Sequence, residues 1–149
     1  MAFELPTSFR YGARAMAGLG AAYPERAVSV RQLGEQERVS AKYLEQILRT
    51  LKAAGLVQAV RGREGGYVLA RPPEKITLKE LYEGLIGSTS PANCVECPGT
   101  CPFSDGCPTR GTWAQLKRAI DGVLERTTVQ ELVERKRRKS ISSSEDFCI

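Results

Sequence analysis

Between Ser29 and Leu69 the chain places two capped helical patterns, a short turn between them and then, with no linker, two extended runs around a glycine-rich tip. Ser29 with Gln32 three residues on forms a capping box, and Val30, Leu33 and Gly34 open a short helix to about Glu37. After the turn Arg38-Val39, Ser40 stands as N-cap of the clearest periodic element. Tyr43, Leu44, Ile47, Leu48, Leu51 and Ala54 share its apolar stripe and Gly55 stops it. That spacing is a helix-turn-helix. The pattern then changes to Leu56–Val60 and Tyr67–Leu69 around Arg61-Gly62-Arg63-Glu64-Gly65-Gly66, a hairpin. Helix-turn-helix plus hairpin predicts a winged helix, mostly α with a small β wing (α+β).

The flanks extend this unit. Apolar residues from Ser8 to Ala22 predict a first helix closed by Tyr23-Pro24. Thr77 with Glu80 caps a helix over Leu78–Ile86. Residues 87–110 hold four prolines, Pro91, Pro98, Pro102 and Pro108, with few core residues, and have no reason to order unless something ties them together. Thr112–Leu124 then predicts a long amphipathic helix through Trp113, Leu116, Ile120, Val123 and Leu124, with Thr128 and Glu131 capping a continuation that bears Val129, Leu132 and Val133. One winged helix cannot bury such a stripe, so a partner helix from a second copy is expected, giving a homodimer. The expected organisation is a winged-helix DNA-binding domain at 1–86, a cysteine-rich loop at 87–110, a dimerisation region at 111–138 and a disordered tail at 139–149. No internal repeat is visible.

The chain has no histidine, which removes imidazole bases, Ser-His and Cys-His catalysis, and imidazole metal ligands. No nucleophile–base pair, phosphate-loop motif or paired carboxylates replaces them, so no enzyme is expected. Lys plus Arg number 22 against 17 for Asp plus Glu, a balance that favours polyanions. No run is long and apolar enough for a membrane span, and Met1–Pro6 lacks a leader's basic patch and apolar run. The expected compartment is the cytoplasm, with no membrane partner.

Cys94, Cys97, Cys101 and Cys107 fall in one short loop with spacing C-x2-C-x3-C-x5-C, and three of them precede proline. In a chain with no export signal such clustering reads as metal binding. Four thiolates suit an iron–sulfur cluster or a structural zinc. Zinc sites more often pair two CxxC knuckles roughly 12 to 20 residues apart, which favours iron–sulfur; zinc and metal-free thiols stay open. Cys148 reads as a free tail thiol.

The candidate DNA contacts are Ser40, Lys42, Tyr43 and Gln46 in the first turns of the second helix, the part of a recognition helix that meets base edges and phosphates. Arg61 and Arg63 flank the wing tip, where arginine can enter a minor groove. Tyr43 shares a stripe with Ile47 and could equally sit in the core. Glu45 is costly near phosphate unless it accepts from a cytosine amino group. The basic run Arg135–Lys139 reads first as solvated surface.

Val39-Ser-Ala-Lys-Tyr-Leu-Glu-Gln-Ile-Leu48, Leu51-Lys-Ala-Ala-Gly-Leu-Val57, Val60-Arg-Gly-Arg-Glu-Gly-Gly-Tyr67 and Leu69-Ala-Arg-Pro-Pro-Glu74 closely resemble the bacterial winged-helix regulators of the IscR/NsrR/CymR family. The likeness spans about residues 6–134. Arg10-Tyr11-Gly-Ala-Arg-Ala-Met16 is similar to the start of the family's first helix, and Trp113, six residues after the last cysteine, to its dimerisation helix. The resemblance implies a homodimeric transcription regulator, expected to be a repressor, that binds pseudo-palindromic double-stranded promoter DNA. In cysteine-bearing branches it implies sensing of redox state, iron–sulfur supply or nitric oxide through a cluster. Cys101 and Cys107 match the family's last two cysteines; Cys94 or Cys97 supplies the first. Arg110 stands where the IscR branch has histidine, and Arg10 where the NsrR branch has an acidic residue. All four cysteines as ligands is the simplest repair, holding [2Fe-2S] or [4Fe-4S]. The competing expectations are a zinc-stabilised regulator without a cluster, and an iron–sulfur electron-transfer or carrier protein.

Overall fold

The computed structural model describes residues 4–142 of the chain. Its order is α1 (Thr7–Ala22), α2 (Val30–Glu37), α3 (Ala41–Ala53), β1 (Val57–Val60), β2 (Gly66–Leu69), α4 (Leu78–Leu85), α5 (Asn93–Glu96), α6 (Arg110–Arg126) and α7 (Val129–Ser142). Among the described residues, seven α-helices and one two-stranded antiparallel sheet make it a winged helix.

The local signals act where they stand in the sequence. Ser29 and Gln32 close a reciprocal capping box on α2, and Thr77 and Glu80 close another on α4. Each satisfies backbone N–H groups that a helix start leaves without intrahelical acceptors. The strands pair Val57 with Leu69 through to Val60 with Gly66. A further backbone pair, Val28 with Tyr67 (2.9 Å in both directions), adds the α1–α2 connection to the wing's edge. Gly66 permits that approach: its φ is 153°, and a Cβ there would stand 2.2 Å from the Val28 carbonyl oxygen.

The core gathers Met16 and Leu19 of α1, Leu33 of α2, Leu44, Leu48 and Leu51 of α3, and Ile76 and Leu81 around α4, none more than 1% exposed. Burial of each such side chain contributes about 1.5–3 kcal/mol. Phe9 meets Tyr82 edge-on at 5.0 Å and fastens α1 to α4.

The C-terminal region departs from expectation. Val129 and Val133 are 0% and 1% exposed, buried by the chain's own α1, so they do not prolong the stripe of α6 toward a partner. The two helices separate at Thr127-Thr128, where Leu78 N–H donates to Thr127 O and Val129 N–H to Ile76 O, both at 2.9 Å. That extended pairing breaks the helix, and α7 turns back antiparallel to α1, placing Val133 against Gly20 and Lys136 against Gly18. The helix runs on to Ser142, through the first residues of the expected tail. Ion pairs Arg135–Glu131 and Arg138–Glu134, each four residues apart, support it. Cys148 and the rest of that tail lie outside the described residues.

Residues 87–110 are not wholly irregular: α5 and a turn of 3-10 helix at Pro98–Thr100 lie inside them, and α6 begins at Arg110 rather than Thr112. No helix among the described residues is long and apolar enough to cross a membrane.

Candidate DNA interface and cysteine loop

The turn between α2 and α3 is built by close approach. Arg38 takes a left-handed conformation (φ 55°) after α2, and Val39 N–H returns to Gly34 O at 3.0 Å. A Cβ on Gly34 would lie 2.9 Å from the Val39 carbonyl oxygen, so a larger residue forces the two helices apart. Ser40 then caps α3, its Oγ accepting from Tyr43 N–H at 3.2 Å.

At the start of α3 the side chains divide. Lys42 and Gln46 are exposed, whereas Tyr43 is half-buried with its ring edge-on to Tyr11 at 6.1 Å. Tyr43 thus takes up part of the core role that its stripe position suggested. Glu45, half-buried, pairs with Arg49 one turn later at 2.9 Å. Arg61 and Arg63 are exposed beyond the last strand pair. Among the described residues none of Lys42, Arg61 and Arg63 is committed to an ion pair that would have to break before it met a phosphate.

A feature that sequence reasoning missed lies behind the turn. Glu37, the last residue of α2, is 6% exposed. Its carboxylate accepts from Arg14 Nε of α1 (2.9 Å) and from Lys136 Nζ of α7 (2.7 Å), while its carbonyl accepts from Arg14 Nη2 (2.8 Å). Lys136 is ninety-nine residues away along the chain, and no local pattern announces such a partner.

The cysteine loop is tied to α6 at both of its ends and holds internal hydrogen bonds between, among them Thr100 Oγ1 to Cys97 O and Ser104 N–H to Cys101 O. Thr89, 7% exposed, donates to Asp121 of α6. Asp121 also pairs with Lys117 at 2.7 Å and Lys79 of α4 at 3.9 Å. Burial pushes the Asp121 carboxyl up, but the Lys117 and Thr89 hydrogen bonds and the two lysine charges outweigh it and hold its pKa below the usual range. At the other end Arg110 Nε donates to Cys94 O at 3.2 Å. Cys107 Sγ lies 3.3 Å from Thr109 Oγ1 just before α6. The Thr109 hydroxyl, then the Thr109 and Arg110 backbone N–H groups and the Arg110 charge, lower the Cys107 pKa.

Cys94, Cys101 and Cys107 are half-exposed, Cys97 is exposed, and all four are free thiols. Their kind and number suit the soft-donor set of an iron–sulfur cluster or zinc. Among the described residues, however, no three Cys, Asp or Glu side chains are gathered as a preformed metal site. The loop carries the donors without holding them together.

On α6, Trp113, Leu116 and Val123 are 38%, 40% and 54% exposed. They lie on one stripe of the helix, an apolar face that the chain itself leaves open.

Comparison with known proteins agrees with this geometry. The family model Rrf2, described as an iron-dependent transcriptional regulator, matches residues 5–135. The protein Rrf2 of Nitratidesulfovibrio vulgaris is 31% identical over 130 residues, 87% of each chain. The solved structure of CymR, the global cysteine regulator of Bacillus subtilis, superposes with a TM-score of 0.75 at 30% identity, covering 90% of this chain and 98% of that one. The structure of T. potens IscR gives the same TM-score and identity over 100% and 96%.

Proposed function

This chain belongs to the Rrf2 family of transcriptional regulators and is a DNA-binding protein rather than an enzyme, and from that premise we propose how it binds and what it senses. It acts as a homodimer on pseudo-palindromic promoter DNA, in the cytoplasm where that DNA lies. The exposed Trp113, Leu116 and Val123 stripe supports an isologous pairing through α6, in which one patch meets its own copy. Two recognition helices α3 then enter successive major grooves with Ser40, Lys42, Tyr43 and Gln46 leading, and Arg61 and Arg63 reach the flanking minor groove. The chain is read as a repressor that occupies its promoter.

The sensing element is the loop between Thr89 and Arg110. Cys94, Cys97, Cys101 and Cys107 would hold an iron–sulfur cluster, which would supply redox chemistry and sensitivity to oxidants or nitric oxide. The observation that carries this reading is that four free thiols lie within one short loop tied at Thr89–Asp121 and Arg110–Cys94 to α6. The loop's ties at Arg110 and Asp121 would pass a change in the loop to α6, and α6 would set the spacing of the two α3 helices. The bistable element is the loop.

A second reading has its own support. The sulfurs are not gathered, and one similar structure is that of a cysteine regulator. Thiol oxidation without metal, centred on the loop, is that reading.

The test is the visible spectrum of anaerobically purified protein, with iron, sulfide and zinc assayed on the same sample and promoter binding measured before and after metal removal. Charge-transfer bands with iron and sulfide, and a holo–apo difference in affinity, support the cluster sensor. Zinc alone makes the loop structural, and no metal leaves the thiol reading.

A further inference from the structure

We propose that α7 is a strut that fixes the pose of the recognition helix, and that Glu37 is the positioning residue through which it acts. The proposal rests on α3 being the recognition helix. α7 is held at two places. Its first residue is tied to the segment before α4 by Val129 N–H to Ile76 O (2.9 Å), and Val129 and Val133 are buried against Gly20. Near its middle, Lys136 Nζ meets Glu37 Oε1 at 2.7 Å. Between these points the helix bridges the α6–α7 junction and the last residue before the helix-turn-helix turn.

The electrostatics make this more than a surface pair. The Glu37 side chain is 7% exposed, whereas Arg14 and Lys136 are 50% and 44% exposed. A carboxylate so covered needs partners, since removing one leaves a poorly solvated charge. Two cations from α1 and α7 supply them, and Arg14 also holds the Glu37 carbonyl, fixing backbone as well as side chain. The next residues are the strained Arg38, Val39 and the cap Ser40. A shift of Glu37 is therefore passed within three residues to the first turn of α3. Lys136 of α7 thus decides how firmly that turn is held.

The test uses the full-length protein and Lys136→Met, which keeps the apolar stem and drops the charge, beside Lys136→Arg and Glu37→Gln. Two readouts are taken: hydrogen exchange at the Val39 amide in free protein, and affinity for promoter against scrambled duplex across a salt series. In Lys136→Met and Glu37→Gln, Val39 exchange should rise about tenfold and the specific-to-non-specific ratio fall about tenfold, on the scale of a lost charged hydrogen bond. The Lys136→Met salt slope should stay unchanged, and Lys136→Arg should restore both readouts. A Lys136 that touched DNA directly would instead lower the slope by about one without loosening Val39, and that result overturns the proposal. Unchanged exchange overturns it too, whatever the DNA result. Faster exchange with an unchanged ratio refutes the link from turn to recognition. Wild-type protein with no promoter preference would defeat the DNA reading alone, while the exchange experiment still decides whether α7 holds the turn.

Discussion

Gly20 and Val133 meet with no room for a side chain between them: a Cβ on Gly20 would lie 2.7 Å from Val133 Cγ2 and 3.2 Å from Val129 Cγ1. Both valines are β-branched and nearly fully buried, so neither can swing aside cheaply. Gly20→Ala should therefore destabilise the protein by about 1–2 kcal/mol, the overpacking cost less the helix propensity gained. Gly111, in the first turn of α6 with nothing within 4 Å, is the control. Gly111→Ala should be neutral or stabilising by up to about 1 kcal/mol. Urea denaturation of both variants decides this; equal effects would mean that α7 does not press on α1.

How much of this was legible in the sequence follows from the range of each interaction. The boxes Ser29–Gln32 and Thr77–Glu80 close within four residues, so reading the residues in order suffices to find them. The wing register follows from its tip. The pairing of Val28 with Tyr67 could not be read, because it joins segments with no shared local pattern. Val129 and Val133 show where periodicity stops: it states that a face is apolar, not whether a second copy or the chain's own α1 covers it. The cysteines mark the same boundary, since spacing identifies soft donors but not whether the loop gathers them unaided.

At the interface, Arg61 and Lys42 should differ in kind. Arg61→Ala should weaken binding by about tenfold at sites with a narrow, A-tract minor groove and much less elsewhere. Lys42→Ala should weaken all sequences alike and lower the salt slope by about one, as expected for a phosphate contact. Anisotropy titrations on two duplexes that differ only in their flanks separate the two. An Arg61 effect independent of the flanking sequence would remove the wing from the minor groove.

Glu45 offers a test of base readout. Its carboxylate is held by Arg49 at 2.9 Å, which limits its repulsion of nearby phosphate. Glu45→Ala should leave the preferred site bound within a few fold and raise affinity for single-base variants at one position, by the roughly 1–3 kcal/mol a direct base contact discriminates. Uniform tightening on every duplex would mean that Glu45 acts only as a charge.

For the loop, single Cys→Ala variants of Cys94, Cys97, Cys101 and Cys107, purified without oxygen, should each lose most bound iron if all four are ligands. Retention of iron and of the visible bands in only Cys94→Ala or only Cys97→Ala would instead reduce the thiolate set to three. Iron content per chain and the spectrum are read on one preparation, with near-wild-type melting required of each variant.

Acid should loosen the body of the protein through Asp121 and Glu80. Burial raises the Glu80 pKa, but the Thr77 backbone N–H at 3.0 Å and Arg71 at 2.9 Å more than reverse this and leave it lowered, as Lys117 and Thr89 do for Asp121. A carboxylate whose folded pKa is depressed binds its proton less tightly folded than unfolded. Its stabilisation is therefore full above the unfolded value of about 4 and is lost as pH falls through the folded one. Denaturation midpoints should hold from pH 7 to about pH 5 and decline below that as the unfolded chain takes up protons first. Asp121→Asn and Glu80→Gln should each start lower at pH 7 and decline less steeply, because the titrating group is gone. Since Asp121 joins α6 to both Thr89 and Lys79, its variant should also increase hydrogen exchange in α6 at neutral pH. A slope identical to wild type below pH 5 would show that these two carboxylates do not carry the acid sensitivity.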